Sequence, residues 1–403
     1  MDTPVRYVDV DGHILEPHGL WEEYIEPKYR DRAFKILEDE NGLEYLSIDG
    51  KSSWLFRGGT LGFTGAIGQD PRPFLEPGRI KWEDPVLPRG GFDPHERVKV
   101  MDAEGIDQTL IYPSLSLAME CTDAELVAAN CRAYNNWVFD FCKTHPKRLI
   151  PVAHIPVQDV EEGVKELRRT AKLGAKAAMI PSVCPLNRPF GGRYFDPLWQ
   201  EAQDLDMPIT LHPAASLEQL TSQLYPPKRD DASGPITLDP MAAAEQVSSP
   251  IDPLQRDDPS PWLMFVLGAE DTKFQFTTFF AEGTFERFPR LKLVVLESGT
   301  GWLVHLLQRM DDMFELYGFT TSMKLKPSEY FRRNCWIAMD PDDKMVQFNV
   351  QHLGSERFLW AYDFPHSDSI TEPVSKLDEN LAFLPPESRN RIIGENAVEL
   401  YHL

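Results

Sequence analysis

Eight short apolar segments, separated by helical patterns, constrain this chain of 403 residues more than any other feature. They cover residues 5–11, 109–112, 149–153, 177–180, 208–211, 291–296, 335–339 and 358–362. Between them, stretches such as 124–143 and 160–173 carry apolar residues at helical spacing. Gly105 and Gly174 stand where helices end in a left-handed cap. Strands alternating with helices predict a parallel sheet, and eight such units predict a (β/α)8 barrel, a TIM barrel, as one domain over 1–403. Two stretches break the rhythm. Residues 57–93 are rich in Gly and Pro yet carry Phe63, Phe74, Trp82 and Phe92, with Phe56 just before them, so they read as an ordered, lid-like insertion. Residues 214–262 read as a second insertion, and 18–50 as a helical turn followed by a small hairpin around Tyr45–Ile48.

In such a barrel, the reactive groups sit at the C-terminal ends of the strands. The first strand delivers Asp11 and His13, two residues apart and so on one side of a regular strand. The third ends in His154, the fifth in His212 and the sixth in Glu297. The eighth ends in Asp363, with His366 three residues on. Imidazoles and carboxylates converging on one mouth are how proteins hold a divalent metal. Glu16, one short turn beyond His13, is either a hydrogen-bond partner of the ligands or a further ligand. Lys176 precedes its apolar run and reads as structural. Trp302 and Trp360 read as core.

Composition removes several classes. With 41 Lys and Arg against 63 Asp and Glu, the formal charge is −22, which excludes nucleic acid and anionic membrane as partners. The five cysteines are odd in number and form no CxxC pair, which argues against a disulfide framework or a cysteine zinc site. Cys131 and Cys142 read as core. No leader pattern and no apolar run of ~18 residues is present, so a cytoplasmic protein acting on a small molecule is expected. Arg57, Arg72 and Arg79 near the lid could meet a substrate carboxylate, although surface solvation is the plainer reading of each.

Several blocks resemble the amidohydrolase superfamily, in its branch of aminocarboxymuconate-semialdehyde decarboxylase-like enzymes. They are Asp9-Val10-Asp11-Gly12-His13-Ile14-Leu15-Glu16-Pro17, the block from Arg97 through Met101-Asp102-Ala103-Glu104-Gly105-Ile106-Asp107 to Tyr112-Pro113, and Leu211-His212-Pro213. Phe288–Lys292, Glu297–Trp302, Tyr362–Asp368 and Asn396–Tyr401 complete the set. The resemblance implies that Asp11, His13, His212 and Asp363 are metal ligands, and it implies a homodimer. This chain departs from the pattern at two places. Asp11 replaces a His or Glu, and Glu297 replaces the catalytic His of decarboxylase members, where an acid can instead reach the metal. Such an oxygen-rich site fits zinc first, with iron or manganese open.

The resulting expectation is a metal-dependent hydrolase cleaving a C–N, C–O or activated C–C bond beside a carbonyl in a small cyclic or aromatic metabolite. Asp363 would move the proton of the attacking water, Glu297 would assist at the metal, and His154 or His366 would hold the oxyanion or protonate the product. The first alternative is non-oxidative decarboxylation of an aromatic or unsaturated acid, disfavoured by the missing His at position 297. The second is a non-haem diiron monooxygenase on the same barrel.

Overall fold

Each apolar segment becomes a strand in the computed structural model, which describes residues 6–52, 59–117, 121–186, 188–213 and 266–403. Strand β1 is Val8–His13. Strands β2 (Lys35–Glu38), β3 (Glu44–Ile48) and β4 (Lys51–Ser52) form a separate antiparallel sheet, the expected hairpin extended by one strand. The barrel continues with β5 (Gln108–Tyr112), β6 (Leu149–His154), β7 (Ala177–Pro181) and β8 (Ile209–His212). It ends with β9 (Leu293–Val295), β10 (Cys335–Met339) and β11 (Phe358–Trp360). The eight barrel strands pair in parallel in the order β1-β5-β6-β7-β8-β9-β10-β11. At the seam, the Asp363 N–H donates to Asp11 O at 2.8 Å and the His13 N–H to Phe364 O at 2.7 Å, which joins the last strand to the first at the mouth.

Alternation along the strands sorts the side chains. Val8, Val10, Leu110, Val152, Met179, Val294 and Leu359 fill the barrel interior. Ile111, Ala153, Ile180, Leu211 and Val295 pack outward against the helices. Continuing that alternation turns His154 and His212 inward at the strand ends.

Strand β1 breaks it. Val8 pairs with Gln108 and Asp9 with Thr109, but Gly12 pairs with Ile111 and His13 with Tyr112, so β1 carries one residue more than β5 across this step. This bulge puts Val10 and Asp11 both toward the interior, and Gly12 outward beside Asp9. In an unbulged strand, Asp11 and His13 would share the outer face with Asp9. A Cβ on Gly12 would lie 2.3 Å from Thr109 Oγ1 and 2.8 Å from Asp9 Oδ2. Gly12→Ala is therefore expected to cost about 1–3 kcal/mol, the scale of overpacking a tight interior. Thermal melts of the metal-free variant against wild type check this, and an unchanged melting temperature contradicts it.

The described part of the first insertion is ordered. Its aromatic side chains Phe74, Trp82 and Phe92 pack together. Phe74 and Trp82 join Leu15, Trp21, Phe34 and Leu46 in a core of their own. The Trp82 indole N–H donates to Glu16 O at 2.7 Å, and its ring meets Phe92 edge-on. Arg72 pairs with Asp70 and Arg79 with Glu76 at the surface, so neither guanidinium is free for a substrate. Phe56 and Arg57, and all of 214–262, lie outside the described residues. A wider turn over Arg391–Glu395 interrupts the closing helix, and there Gly394 approaches the foot of the barrel, where a Cβ would meet Arg6 O at 1.8 Å. All five cysteines are free and buried. Among the described residues, no helix is long and apolar enough to cross a membrane.

Candidate metal centre

Asp11, His13 and His212 meet inside the mouth, and all three are fully buried. His13 Nε2 lies 3.4 Å from Asp11 Oδ1 and 3.3 Å from His212 Nε2, and His212 Nε2 lies 3.5 Å from Asp11 Oδ1. Asp363 Oδ1 closes on His13 Nε2 at 3.0 Å, and Glu297 Oε2 on His212 Nε2 at 3.3 Å. The other nitrogen of each ring is committed to a backbone carbonyl. His13 Nδ1 donates to Pro113 O at 2.6 Å and His212 Nδ1 to Pro213 O at 2.8 Å. A carbonyl only accepts, so both Nδ1 atoms carry protons and both Nε2 atoms aim at the same point. Neither Asp11 oxygen has a hydrogen-bond partner, and Asp363 Oδ1 has none either. Buried carboxylate oxygens left unpaired beside two oriented imidazoles make a donor set that fits a divalent cation.

The electrostatics without a cation agree. Burial opposes charge on His13, yet the carboxylates of Asp11 and Asp363 outweigh it and hold the imidazole well above its ordinary range. Burial would raise Asp363, but His366 and His13 outweigh it and hold this carboxyl well below the usual range. Burial, then the charges of Asp363 and Asp368, push Glu297 well above. Both strand-end acids, Glu297 and Asp363, have positive φ, 43° and 59°. Non-glycine residues held there cost of order 1–3 kcal/mol, a strain that concentrates at functional sites.

His366 is oriented from both sides. Its Nδ1 faces Asp363 Oδ1 at 3.1 Å, and its Nε2 faces Ser114 Oγ at 2.8 Å. The Ser114 hydroxyl gives its one proton to Ile14 O at 2.6 Å, so it accepts from His366 Nε2–H. Ser114, His366 and Asp363 thus resemble a nucleophile triad in outline only, since the serine proton is turned away from the imidazole.

Two expected residues have other places. Glu16 belongs to none of the groups of ligand-type atoms. Its carboxylate accepts from the backbone N–H groups of Ser114, Leu115 and Ser116 and from Ser116 Oγ, at 3.0–3.3 Å, which engages its lone pairs in holding the loop after β5. His154 is buried and inward-facing, but belongs to none of the ligand groups, and its Nδ1 has no hydrogen-bond partner. Burial, then the neighbouring His212, lowers its pKa from 6.5 to about 3. The unfolded chain then binds one more proton than the native protein between those values. Stability therefore falls as pH falls below 6.5, by about 1.4 kcal/mol per unit from this group alone. His154→Gln is expected to lose melting temperature less steeply than wild type from pH 6.5 to 4.5, and equal slopes contradict this. Sequence reasoning missed Ser114 and Asp368. Beside the groups Asp11–His13–His212 and His13–Asp363–His366, Asp368 joins Glu297, Asp363 and His366 in a third group of ligand-type atoms, and its signal was its place two residues after His366.

A closed parallel barrel with imidazoles and carboxylates gathered at its C-terminal mouth defines a metal-dependent enzyme scaffold. The chain belongs to the amidohydrolase family, whose model matches residues 8–403. Among curated relatives, it is 23% identical over 287 residues to gamma-resorcylate decarboxylase of Rhizobium radiobacter, covering 67% of this chain and 76% of that one. Among solved structures, it superposes on the amidohydrolase map2389c of Mycobacterium avium subsp. paratuberculosis with a TM-score of 0.78, at 20% identity over 99% of this chain and 100% of that one. It also matches 5-carboxyvanillate decarboxylase of Sphingomonas paucimobilis, with a TM-score of 0.66 at 19% identity over 99% and 100%. A third match is dihydroxybenzoic acid decarboxylase of Polaromonas sp. JS666 with bound manganese and an inhibitor, with a TM-score of 0.64 at 16% identity over 99% and 97%.

These relatives overturn the expectation of a hydrolase. The replacement of an imidazole by Glu297 had weighed against decarboxylation, but a carboxyl group at that place can also carry a proton, so the exchange does not decide the reaction. Preference for zinc likewise lacks support, since the metal in the solved relative is manganese.

Proposed function

We propose that this protein is a divalent-metal-dependent, non-oxidative decarboxylase of an aromatic acid carrying a hydroxyl ortho to the carboxylate. The observation that carries the reading is the convergence of Asp11, His13 and His212 on one buried point, with Asp363 joined to it through His13 and with unpaired carboxylate oxygens, in a chain whose named relatives include decarboxylases of aromatic acids. Manganese is the first metal to try.

Asp11, His13, His212 and Asp363 would hold the cation. When bound, it would supply positive charge that favours an anionic substrate and polarises it. The ortho hydroxyl pushes electron density onto the ring carbon that bears the carboxylate. Asp363, oriented by His366, which Ser114 fixes in turn, takes a proton from Glu297, whose carboxyl burial and the neighbouring acids hold well above the usual range, and passes it to that carbon. The carbon–carbon bond then breaks, its electron pair returns to the ring, and CO2 leaves. Glu297, beside His212, replenishes the proton from the solvent side.

The test is a panel of ortho-hydroxybenzoates, 2,6-dihydroxybenzoate among them, given to the manganese-loaded protein with CO2 release as readout. Release from at least one member that stops on chelation and returns with manganese supports the reading. No release from any member, with manganese bound, overturns it.

A further inference from the structure

Arg97 lies in one of the blocks that carry the family resemblance, yet it takes no part in the chemistry above. It leaves the helix Pro94–Glu104, which Asp93 caps by accepting from the His95 and Glu96 N–H groups. Its side chain then runs to the outer face of the barrel seam, where it is 2% exposed. One guanidinium nitrogen donates to His13 O at 2.5 Å. The guanidinium plane sits over the Phe364 ring, 4.4 Å from its centroid. His13 belongs to β1 and Phe364 directly follows Asp363, so one side chain grips both sides of the seam.

Asp9 grips the same seam from the other side of Gly12. Its Oδ1 accepts from the N–H groups of Tyr362, at 2.9 Å, and Asp11, at 3.1 Å, and its Oδ2 from Thr109 Oγ1 at 2.6 Å. A Cβ on Gly12 would meet Asp9 Oδ2 at 2.8 Å and the Arg97 guanidinium at 3.1 Å, so the bulged backbone is wedged between the two. Every peptide so held adjoins an inward-facing ligand. The Asp11 N–H and the His13 carbonyl flank the bulge, and Tyr362 and Phe364 flank Asp363.

We propose that Arg97, with Asp9, is a positioning residue for the metal centre. It holds the bulge of β1 against the end of β11, so that Asp11 and His13 face Asp363 at ligand distance. This rests on the reading of Asp11, His13, His212 and Asp363 as the metal-binding set. A planar fork that both donates and stacks suits Arg, while Lys offers a point charge without the stacking plane. Groups that orient metal ligands cost about 10–100-fold in affinity when removed.

The experiment measures Mn2+ affinity by calorimetry, and the electron paramagnetic resonance line shape of bound Mn2+, for wild type, Arg97→Met, Arg97→Lys and Val100→Ala. Val100 lines the small cavity beside Arg97 but makes no seam contact of this kind, so it reports a merely structural loss. Expected are a Kd about 10–100-fold weaker and a broadened line for Arg97→Met, partial recovery for Arg97→Lys, and a lower melting temperature with wild-type affinity for Val100→Ala. If Arg97→Met fails to fold, Arg97→Lys alone decides. An affinity within twofold of wild type in the folded Arg97 variants, or an equal loss in Val100→Ala, overturns the proposal. Wild type that binds no Mn2+ overturns the metal centre itself, which is a separate failure.

Discussion

His212→Ala is expected to empty the centre of metal and to lower kcat/KM for CO2 release by at least about 10³-fold, the scale of losing several kcal/mol of charge stabilisation. The imidazole has no spare partner to replace it. Its Nδ1 is spent on Pro213 O, and its Nε2 is the only nitrogen facing Asp11 and Glu297 from β8. The signature is thermodynamic as well as kinetic. A cation that binds only the folded state stabilises wild type by about 2.7 kcal/mol at a hundredfold excess over Kd, so manganese should raise its melting temperature and leave that of His212→Ala nearly unmoved. Metal counting by mass spectrometry together with paired melts checks both. A variant that still carries one manganese per chain contradicts the site.

Asp363→Asn is expected to separate binding from chemistry. Asn tolerates the left-handed backbone at this position, where φ is 59°, so the turn should survive. Asp11, His13 and His212 remain to hold manganese, with weakened affinity. The side chain can no longer relay a proton, and turnover should fall by about 10²–10⁴-fold, the usual worth of a positioned acid or base. The check is CO2 release at saturating manganese, with bound metal measured on the same sample. If more than a tenth of wild-type turnover remains, the proton reaches the ring without Asp363, from Glu297 first.

Much of the scaffold was legible because each barrel strand is a short, largely apolar run, and helical patterns lie between. Gly105 and Gly174 do end their helices in left-handed conformations, with φ of 80° and 99°. His154 and His212 follow directly from the period of two along β6 and β8. The same period puts Asp11 and His13 on one side, but it is the bulge that turns that side toward the mouth. Simple alternation would have turned both away from the mouth together with Asp9. A bulge is set by pairing with the neighbouring strand, here through Thr109 and Gly12, and no local pattern announces it. Glu16 was misplaced for a similar reason. Its partners at 114–116 are distant in sequence and come near only when β1 and β5 pair. In the first insertion, hydrophobicity alone does not separate a cover over substrate from a small core, and Trp82 packs in a core. The reaction was the least legible part, because one mouth of carboxylates and imidazoles serves hydrolysis and decarboxylation alike.

The most direct test of metal-assisted decarboxylation follows the atoms. Manganese-loaded protein would turn over the most reactive ortho-hydroxybenzoate of the panel in D2O. The prediction is one CO2 per ring consumed, one deuterium at the carbon that lost the carboxylate, and no oxygen taken up from water or O2. Product that has gained an oxygen atom, or ring consumption without CO2, would contradict the account.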